Sequence, residues 1–298
     1  MGDSLAAVRP QAEKLDAHLD FLRGAQNADG GWGYFPGKQT WLEPTAYAAL
    51  ALHGEPAADR AWALIRSWQM ADGSWRPAAD VQIPHWTTSL AVTIATARAE
   101  FGDPFRRGVA WLLGSAGVES KLINRAAARI GLLEADRDLS LKGWPWKPNT
   151  SSWVEPTAHA LVALRHASSK ISSGDLGDRV RIGEAQLLDV RCRDGGWNYG
   201  SRAALGEDLP SYPETTALAL VGLQGHANLS KSIELAKTMA LDRRSPLARA
   251  WLRIALRLHG VDSPPLPLGS PLRDTIVTAV DALGAGSGYE FFRAGGLG

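Results

Sequence analysis

The chain reads as an all-α protein made of repeated helical hairpins gathered in one domain. Three observations predict this. First, a glycine–tryptophan motif recurs: Gln26-Asn27-Ala28-Asp29-Gly30-Gly31-Trp32, Gln69-Met70-Ala71-Asp72-Gly73-Ser74-Trp75, Gly143-Trp144 and Arg191-Cys192-Arg193-Asp194-Gly195-Gly196-Trp197. Second, each tryptophan precedes a second motif, 11 residues on in the first three copies and 17 in the last: Glu43-Pro44-Thr45-Ala46, Trp86-Thr87-Thr88-Ser89, Glu155-Pro156-Thr157-Ala158 and Glu214-Thr215-Thr216-Ala217. Third, apolar residues between the motifs keep helical spacing, as at Leu15, Leu19 and Leu22. Self-similarity of this kind marks a repeat architecture.

One unit follows from elementary physics. A helix is expected to end just before Asp-Gly, with glycine in the left-handed conformation. The indole that follows is a large apolar plate with one N–H donor. It covers the helix end while Gln26 or Gln69 reaches backbone groups left unpaired there. Proline in the first turn of the next helix loses no helical hydrogen bond, and glutamate there meets the positive end of the helix dipole.

Taken in order, Ala12 to Ala25 reads as an outer helix and Thr45 to Leu52 as the first inner one. Ala57 to Met70 is outer and Thr87 to Ala99 is the second inner helix. Asp103 caps an outer helix with Pro104 just inside it. Lys121 to Leu133 is expected to be the third inner helix. Glu134 to Ser152 carries Trp144-Pro145-Trp146-Lys147-Pro148, which no regular helix tolerates. Pro156 to His166 is read as the fourth inner helix, Thr215 to Gln224 as the fifth and Pro246 to Leu258 as the sixth, with outer helices within Ser172 to Val190 and Leu229 to Leu241. Pro264, Pro265 and Pro267 break the chain, and Leu272 to Leu283 is a last helix in a position to close a ring. Residues 1–285 are expected to form one domain, and the glycine-rich 286–298 a flexible tail.

Gln26…Gly30-Gly31-Trp32 and Gln69…Gly73-Ser74-Trp75 resemble the QW repeat of the squalene-hopene cyclase and protein prenyltransferase superfamily. Trp197 fits with Arg191 in the glutamine slot, and Trp144 fits in its Gly-Trp core alone. The resemblance covers roughly residues 10 to 260. It implies an (α/α)6 toroid of inner and outer helices around a central cavity. It does not fix the activity, which lives in the site.

Composition narrows the function. Net charge is +1, so overall electrostatics do not favour nucleic acid. No apolar run reaches transmembrane length. A single cysteine, Cys192, rules out an internal disulfide framework and suits a reducing, cytoplasmic setting. Twelve tryptophans exceed what the repeat alone explains.

In the triterpene cyclases, which the repeats resemble, protonation uses Asp-x-Asp-Asp-Thr-Ala at the start of an inner helix. The central Asp maps onto Glu43, Glu155 or Glu214, the three candidate catalytic acids. The neighbouring acids of that motif are replaced by Trp41 and Pro44, or by Trp153 and Pro156. The same glutamates also serve as dipole-matched helix starters. Among the three, Glu155 is favoured because it follows the least repeat-like segment.

Aromatic candidates for substrate binding are Trp86, Tyr47 and Tyr212, with His159 beside them, since aromatic faces stabilise carbocations. Two arginine stripes, Arg125/Arg129 and Arg249/Arg253 (continued by Arg257), are expected to line the lumen and hold an anionic or diphosphate head group. Asp136-Arg137-Asp138 does not make the metal-binding Asp-Asp-x-x-Asp run of class I terpene synthases, and no Asp-x-Cys matches the zinc site of the prenyltransferases. No metal or cofactor is expected. The functional expectation is a protein that binds, and as an enzyme cyclises, a hydrophobic isoprenoid. The alternative is a non-catalytic toroid that binds a lipid, a peptide tail or a partner protein. An (α/α)6 carbohydrate enzyme is the third reading. Peripheral membrane contact stays open.

Overall fold

A computed structural model describes residues 3–132, 137–171, 174–204, 206–242, 244–261 and 266–295, with side chains from residue 11 onward. Twelve α-helices are present among them: α1 (Asp3–Ala25), α2 (Leu42–Ala51), α3 (Pro56–Ser67), α4 (Thr88–Ala97), α5 (Asp103–Gly114), α6 (Leu122–Arg129), α7 (Val154–Ser168), α8 (Gly174–Asp189), α9 (Pro213–Gly222), α10 (Ser230–Met239), α11 (Pro246–Leu258) and α12 (Thr275–Ala285). The one strand pair described is a two-residue ribbon, Ala203–Ala204 against Glu207–Asp208.

Six helices form an inner ring. α2 packs on α4, α4 on α7, α7 on α9, α9 on α11, α11 on α12, and α12 back on α2. α1, α3, α5, α8 and α10 pack outside that ring. Inner helices are built from small and apolar residues because they are covered on all sides: Ala158, Ala160 and Ala163 of α7 and Ala217 and Ala219 of α9 are fully buried. α7 and α9 approach so closely that a Cβ on Gly222 would lie 2.9 Å from the Ala158 Cα.

Each tryptophan locks one outer helix to one inner helix. The indole Nε1 of Trp32, Trp75, Trp144 and Trp197 donates to a carbonyl near the end of an outer helix: Leu22 at 2.8 Å, Ile65 at 2.8 Å, Leu112 at 2.8 Å and Leu187 at 2.6 Å. The backbone N–H of the same residues donates to Thr45, Thr88, Thr157 and Thr216 Oγ1 in the first turn of an inner helix, at 2.9, 2.9, 2.9 and 3.0 Å. Trp75 and Trp144 lie on glycines of the next outer helix; a Cβ on Gly108 or Gly183 would come within 2.7 or 2.6 Å of the ring.

The Asp-Gly pair does something other than cap the helix. α1 ends at Ala25 and α3 at Ser67, several residues before Gly30 and Gly73. The glycines take φ +93° and +91° inside the loop instead. Asp29, Asp72 and Asp194 accept the N–H two residues on, at 3.0 Å each, the local bond that makes aspartate a turn former. Gln26 and Gln69 clip this turn to the next outer helix, donating to Gly30 and Ala57 carbonyls (2.7 and 2.8 Å) and to Gly73 and Pro104 carbonyls (3.0 and 2.8 Å).

The third unit departs from the pattern, and with it one sequence expectation. Trp32, Trp75 and Trp197 lie 10 residues after their acceptor carbonyl, but Trp144 lies 32 after its own. A segment containing α6 has been inserted between the outer helix and its tryptophan. Lys121 to Leu133 is therefore not the third inner helix: α6 packs on the short 3-10 turn Val118–Ser120 and none of its residues is buried. α7 takes the third place in the ring, α9 the fourth, α11 the fifth and α12 the sixth. Arg179 of α8 ties this loop to the next outer helix, as Gln26 and Gln69 do in the first two units. It stacks 3.3 Å above the Trp144 ring and donates to Lys142 and Ser115 carbonyls. Burial lowers its pKa to about 9.

Ring closure joins distant parts of the chain. Thr275 N donates to the Tyr34 carbonyl at 2.9 Å, and His18 of α1 faces Asp281 of α12 at 3.5 Å. Of the segment 286–298, expected to be a flexible tail, the described residues 286–295 pack against the inner helices. Gln224 donates to the Phe292 carbonyl at 2.7 Å and accepts from Ala294 N at 3.0 Å, and His166 Nε2 meets the Arg293 carbonyl at 2.9 Å. Apolar burial is the reason: Phe292 is wholly enclosed. Asp136, Pro264 and Pro265, named from the sequence, lie outside the described residues.

Because each indole is fully buried and bonded at both ends, Trp32→Ala and Trp75→Ala are each expected to cost about 3–5 kcal/mol of stability. Denaturant titration checks this; midpoints equal to wild type would mean that the locks do not hold the ring.

Candidate active site

The first turns of α2, α7 and α9 share one end of the ring, where their acidic residues act on one another. Three first turns there carry the glutamates singled out as alternatives in the sequence. The ring makes them one site. α2 is not a neighbour of α7 or α9, yet the Glu43, Glu155 and Glu214 carboxyls feel one another electrostatically. The three carboxyls therefore lie within electrostatic reach of one another and of the Tyr47 phenol. Trp86 holds the equivalent position before α4 and likewise turns inward, its ring 5.3 Å from that of His159.

Each glutamate is half-buried. Protein atoms nevertheless surround Glu43 and Glu155 almost completely. Burial pushes the Glu43 carboxyl up to about 7; the Tyr34 hydroxyl, which donates to its Oε2 at 2.7 Å, opposes the shift, and the charges of Glu214 and Asp274 add to it. Glu155 is held well above the ordinary carboxylate range by burial, then by Glu43 and Glu214. Burial also raises Glu214. Like charges gathered in a low-dielectric mouth do not all ionise together, so the cluster retains protons near neutrality. The helix dipole, which favours the anion at an N-terminus, is outweighed here.

Below the mouth the lumen is aromatic. The Tyr47 hydroxyl shares a 3.0 Å hydrogen bond with His159 Nε2. Trp251 of α11 meets Tyr47 at 5.6 Å and His159 at 5.5 Å between ring centroids, and Phe292 reaches Trp251 at 5.4 Å from below. Burial keeps His159 neutral, with its pKa lowered to about 3, and holds the Tyr47 phenol protonated. Trp86 Nε1 is buried without a hydrogen-bond partner, an available donor beside this cluster. The assembly is a proton-bearing carboxyl cluster over rings whose faces attract cations.

Of the sequence candidates, Glu43, Glu155, Glu214, Tyr47, Trp86 and His159 come together. Tyr212 lies outside, exposed on the rim and stacked 5.2 Å from Tyr199. Arg125 and Arg129 stand on α6, off the ring. Arg249 and Arg253 lie on the face of α11 opposite Trp251. Arg253 pairs with Asp281 and donates to the Leu266 carbonyl at 2.8 Å; Arg249 donates to the Pro267 carbonyl at 3.2 Å. Arg257, next in the stripe, caps α12 through the Gly284 and Gly286 carbonyls, both at 2.7 Å. No described outer helix covers the seam between α11 and α12, and these cations close it. They do not line the lumen. Sequence reasoning missed Trp251, Phe292, Tyr34 and Asp274. Trp251 had a signal, since it shares a face with Ile254 and Leu258 away from the arginines. Tyr34 had none. Among the described residues no three His, Cys, Asp or Glu side chains are placed to hold a metal ion.

Compared with solved structures, the chain is similar to a protein from Actinoplanes (TM-score 0.57, 16% identity, 92% of this chain and 98% of that one). It is similar to the type II terpene cyclase MstE from Scytonema (TM-score 0.54, 19% identity, 92% and 78%). It is also similar to a glycoside hydrolase family 76 mannosidase from Bacteroides thetaiotaomicron (TM-score 0.57, 11% identity, 92% and 98%). No family model matches the chain, and no curated protein matches it in sequence. At these identities the likeness is one of fold: the chain has an all-α toroid of the terpene-cyclase kind.

The raised Glu43 carboxyl gives stability an unusual sign with pH. Its folded pKa of about 7 exceeds the ordinary 4.5, so the folded state binds the proton more tightly than the unfolded chain. Its contribution is present at low pH and is lost as pH rises through about 7. The thermal midpoint of Glu43→Gln is therefore expected to overtake that of wild type between pH 5 and pH 8. Parallel pH profiles for the two proteins would contradict the buried cluster.

Proposed function

We propose that the protein binds a linear isoprenoid in the lumen and starts its cyclisation by proton transfer from the glutamate cluster, with Glu155 as the acid. One observation supports the reading: the Glu43, Glu155 and Glu214 carboxyls, all raised by burial, act on one another and on Tyr47 of the aromatic cluster. A neutral carboxyl there transfers its proton to an alkene carbon. This leaves a carboxylate on the protein and a tertiary carbocation on the substrate. The next double bond closes a ring on that cation, the aromatic walls favour its charge, and loss of a proton from carbon ends the sequence. The net reaction is an isomerisation, and returning a proton to the cluster restores the acid. Burial keeps Glu155 protonated, the charges of Glu43 and Glu214 add to it, and Tyr34 orients Glu43. The QW-like spacing of the tryptophan repeats supports this reading. So does the fold likeness to MstE, a type II terpene cyclase whose substrate complex holds geranylgeranyl dihydroxybenzoate.

A second reading, a binding toroid without catalysis, is favoured by one observation. The rings of Tyr47, His159, Trp251 and Phe292 already touch one another across the lumen.

The deciding experiment offers squalene, farnesyl diphosphate and geranylgeranyl diphosphate to the protein in deuterated buffer. Wild type is expected to yield a cyclic product carrying one solvent deuteron, and Glu155→Gln to lower the rate by at least roughly a hundredfold. Undiminished product from Glu155→Gln would move the acid to Glu43 or Glu214. Retention of the isoprenoid with no product would favour the binding toroid.

A further inference from the structure

The segment that follows α12 touches every helix of the inner ring. The short 3-10 turn Gly288–Phe292 packs on α2, α4, α11 and α12. Gln224, just past α9, holds the Phe292 carbonyl and the Ala294 N–H, and His166 of α7 meets the Arg293 carbonyl. A stretch this short reaches all members of a closed ring only by lying across its axis.

It lies at the end away from the acids. Glu43, Glu155 and Glu214 stand in the first turns of α2, α7 and α9. The same three helices meet the segment at their other ends, through His53, His166 and Gln224. The His53 ring is 4.9 Å from that of Phe291, and the Arg257 guanidinium, in the last turn of α11, lies 3.8 Å from the Tyr289 ring. The chain folds back this tightly because residue 288 has no side chain: a Cβ there would lie 2.5 Å from Leu283 Cδ2. Tyr289 and Phe291 are taken up at the ends of α11 and α2, and Phe292 turns into the ring. It is fully buried, its ring 5.4 Å from Trp251 and 6.1 Å from His159. His159 follows Glu155 by one turn of α7, about 6 Å along the helix axis. Phe292 therefore meets the wall of the ring about one turn beyond the acid.

We propose that Phe292 limits how long an isoprenoid the ring accepts, so that a farnesyl chain is taken in preference to a geranylgeranyl chain. The inference rests on the reading that the ring binds an isoprenoid, and it names which length. A chain that enters past the glutamates runs along the axis until its leading end meets a phenyl ring enclosed on all sides. The limit is steric. One methylene too many against a fixed pocket wall is worth roughly tenfold or more, and a further isoprene unit adds several. Phe291, turned to the His53 side, sets no such limit.

Equilibrium dialysis against an equimolar mixture of farnesyl diphosphate and geranylgeranyl diphosphate tests it, each chain length being counted whether cyclised or not. Wild type is expected to retain the farnesyl chain over the geranylgeranyl chain by roughly tenfold or more. Phe292→Ala and the milder Phe292→Leu are each expected to move that ratio toward the geranylgeranyl chain by roughly tenfold. Phe291→Ala removes a ring from the same segment away from the axis. It is expected to lower the thermal midpoint and leave the ratio as in wild type, which separates a wall from a general loss of packing. Phe292→Leu keeps an apolar anchor in the segment and carries the test if Phe292→Ala fails to fold. Equal retention of both chains by wild type, an unchanged ratio in Phe292→Leu, or an equal shift in Phe291→Ala would overturn the proposal and leave the binding reading intact. Retention of neither chain by wild type or any variant would instead overturn the binding reading, and this inference with it.

Discussion

The bond from a tryptophan indole to the last carbonyls of an outer helix, paired with the bond from its own backbone to a threonine at the start of an inner helix, sets the geometry of this molecule. Neither end works alone. The indole satisfies an acceptor that a helix terminus leaves unpaired, and the backbone bond fixes where the next helix begins. Applied four times, the device makes consecutive inner helices start at the same height and point the same way. The convergence of first-turn residues at one mouth is a by-product of that alignment.

This explains how a repeated scaffold residue becomes a chemical group. A lone glutamate in a helix first turn is stabilised as the anion. Three of them across a narrow mouth, with Asp274 near and Tyr34 over one, repel each other and resist ionisation. The sequence presents Glu43, Glu155 and Glu214 as competitors for one role, because sequence spacing says nothing about distance across a ring. On the proposed function, the acid cluster that a cyclase motif packs into one peptide is drawn from three separate helices.

The starts of α2, α7 and α9 and the structural part of the tryptophans are legible in the sequence because they depend on local chemistry. Asp-Gly turns, first-turn prolines and 11-residue spacings act within a few residues. What misleads has no local signature. α6 carries an alanine-rich pattern that reads as an inner helix, and only its lack of partners shows otherwise. The arginines of α11 point to the lumen only if an outer helix covers the far side; the seam they close has no outer helix among the described residues. Phe292 lies in a glycine-rich stretch, and its burial depends on the shape of a cavity made by residues far away in sequence.

Closure between Tyr34 and Thr275 has a consequence for how the molecule is made. During synthesis the first helices emerge long before their partner in α12 exists. Until then one flank of α2 and the buried side of α1, including Leu22, have nothing to cover them, and the nascent protein is an open arc. Pairings so far apart in sequence carry a large loop-closure cost and form late. The final helix closes the ring, and Phe292 packs on Trp251 within it. A chain halted shortly before residue 275 would carry all three glutamates but no enclosure to keep them protonated.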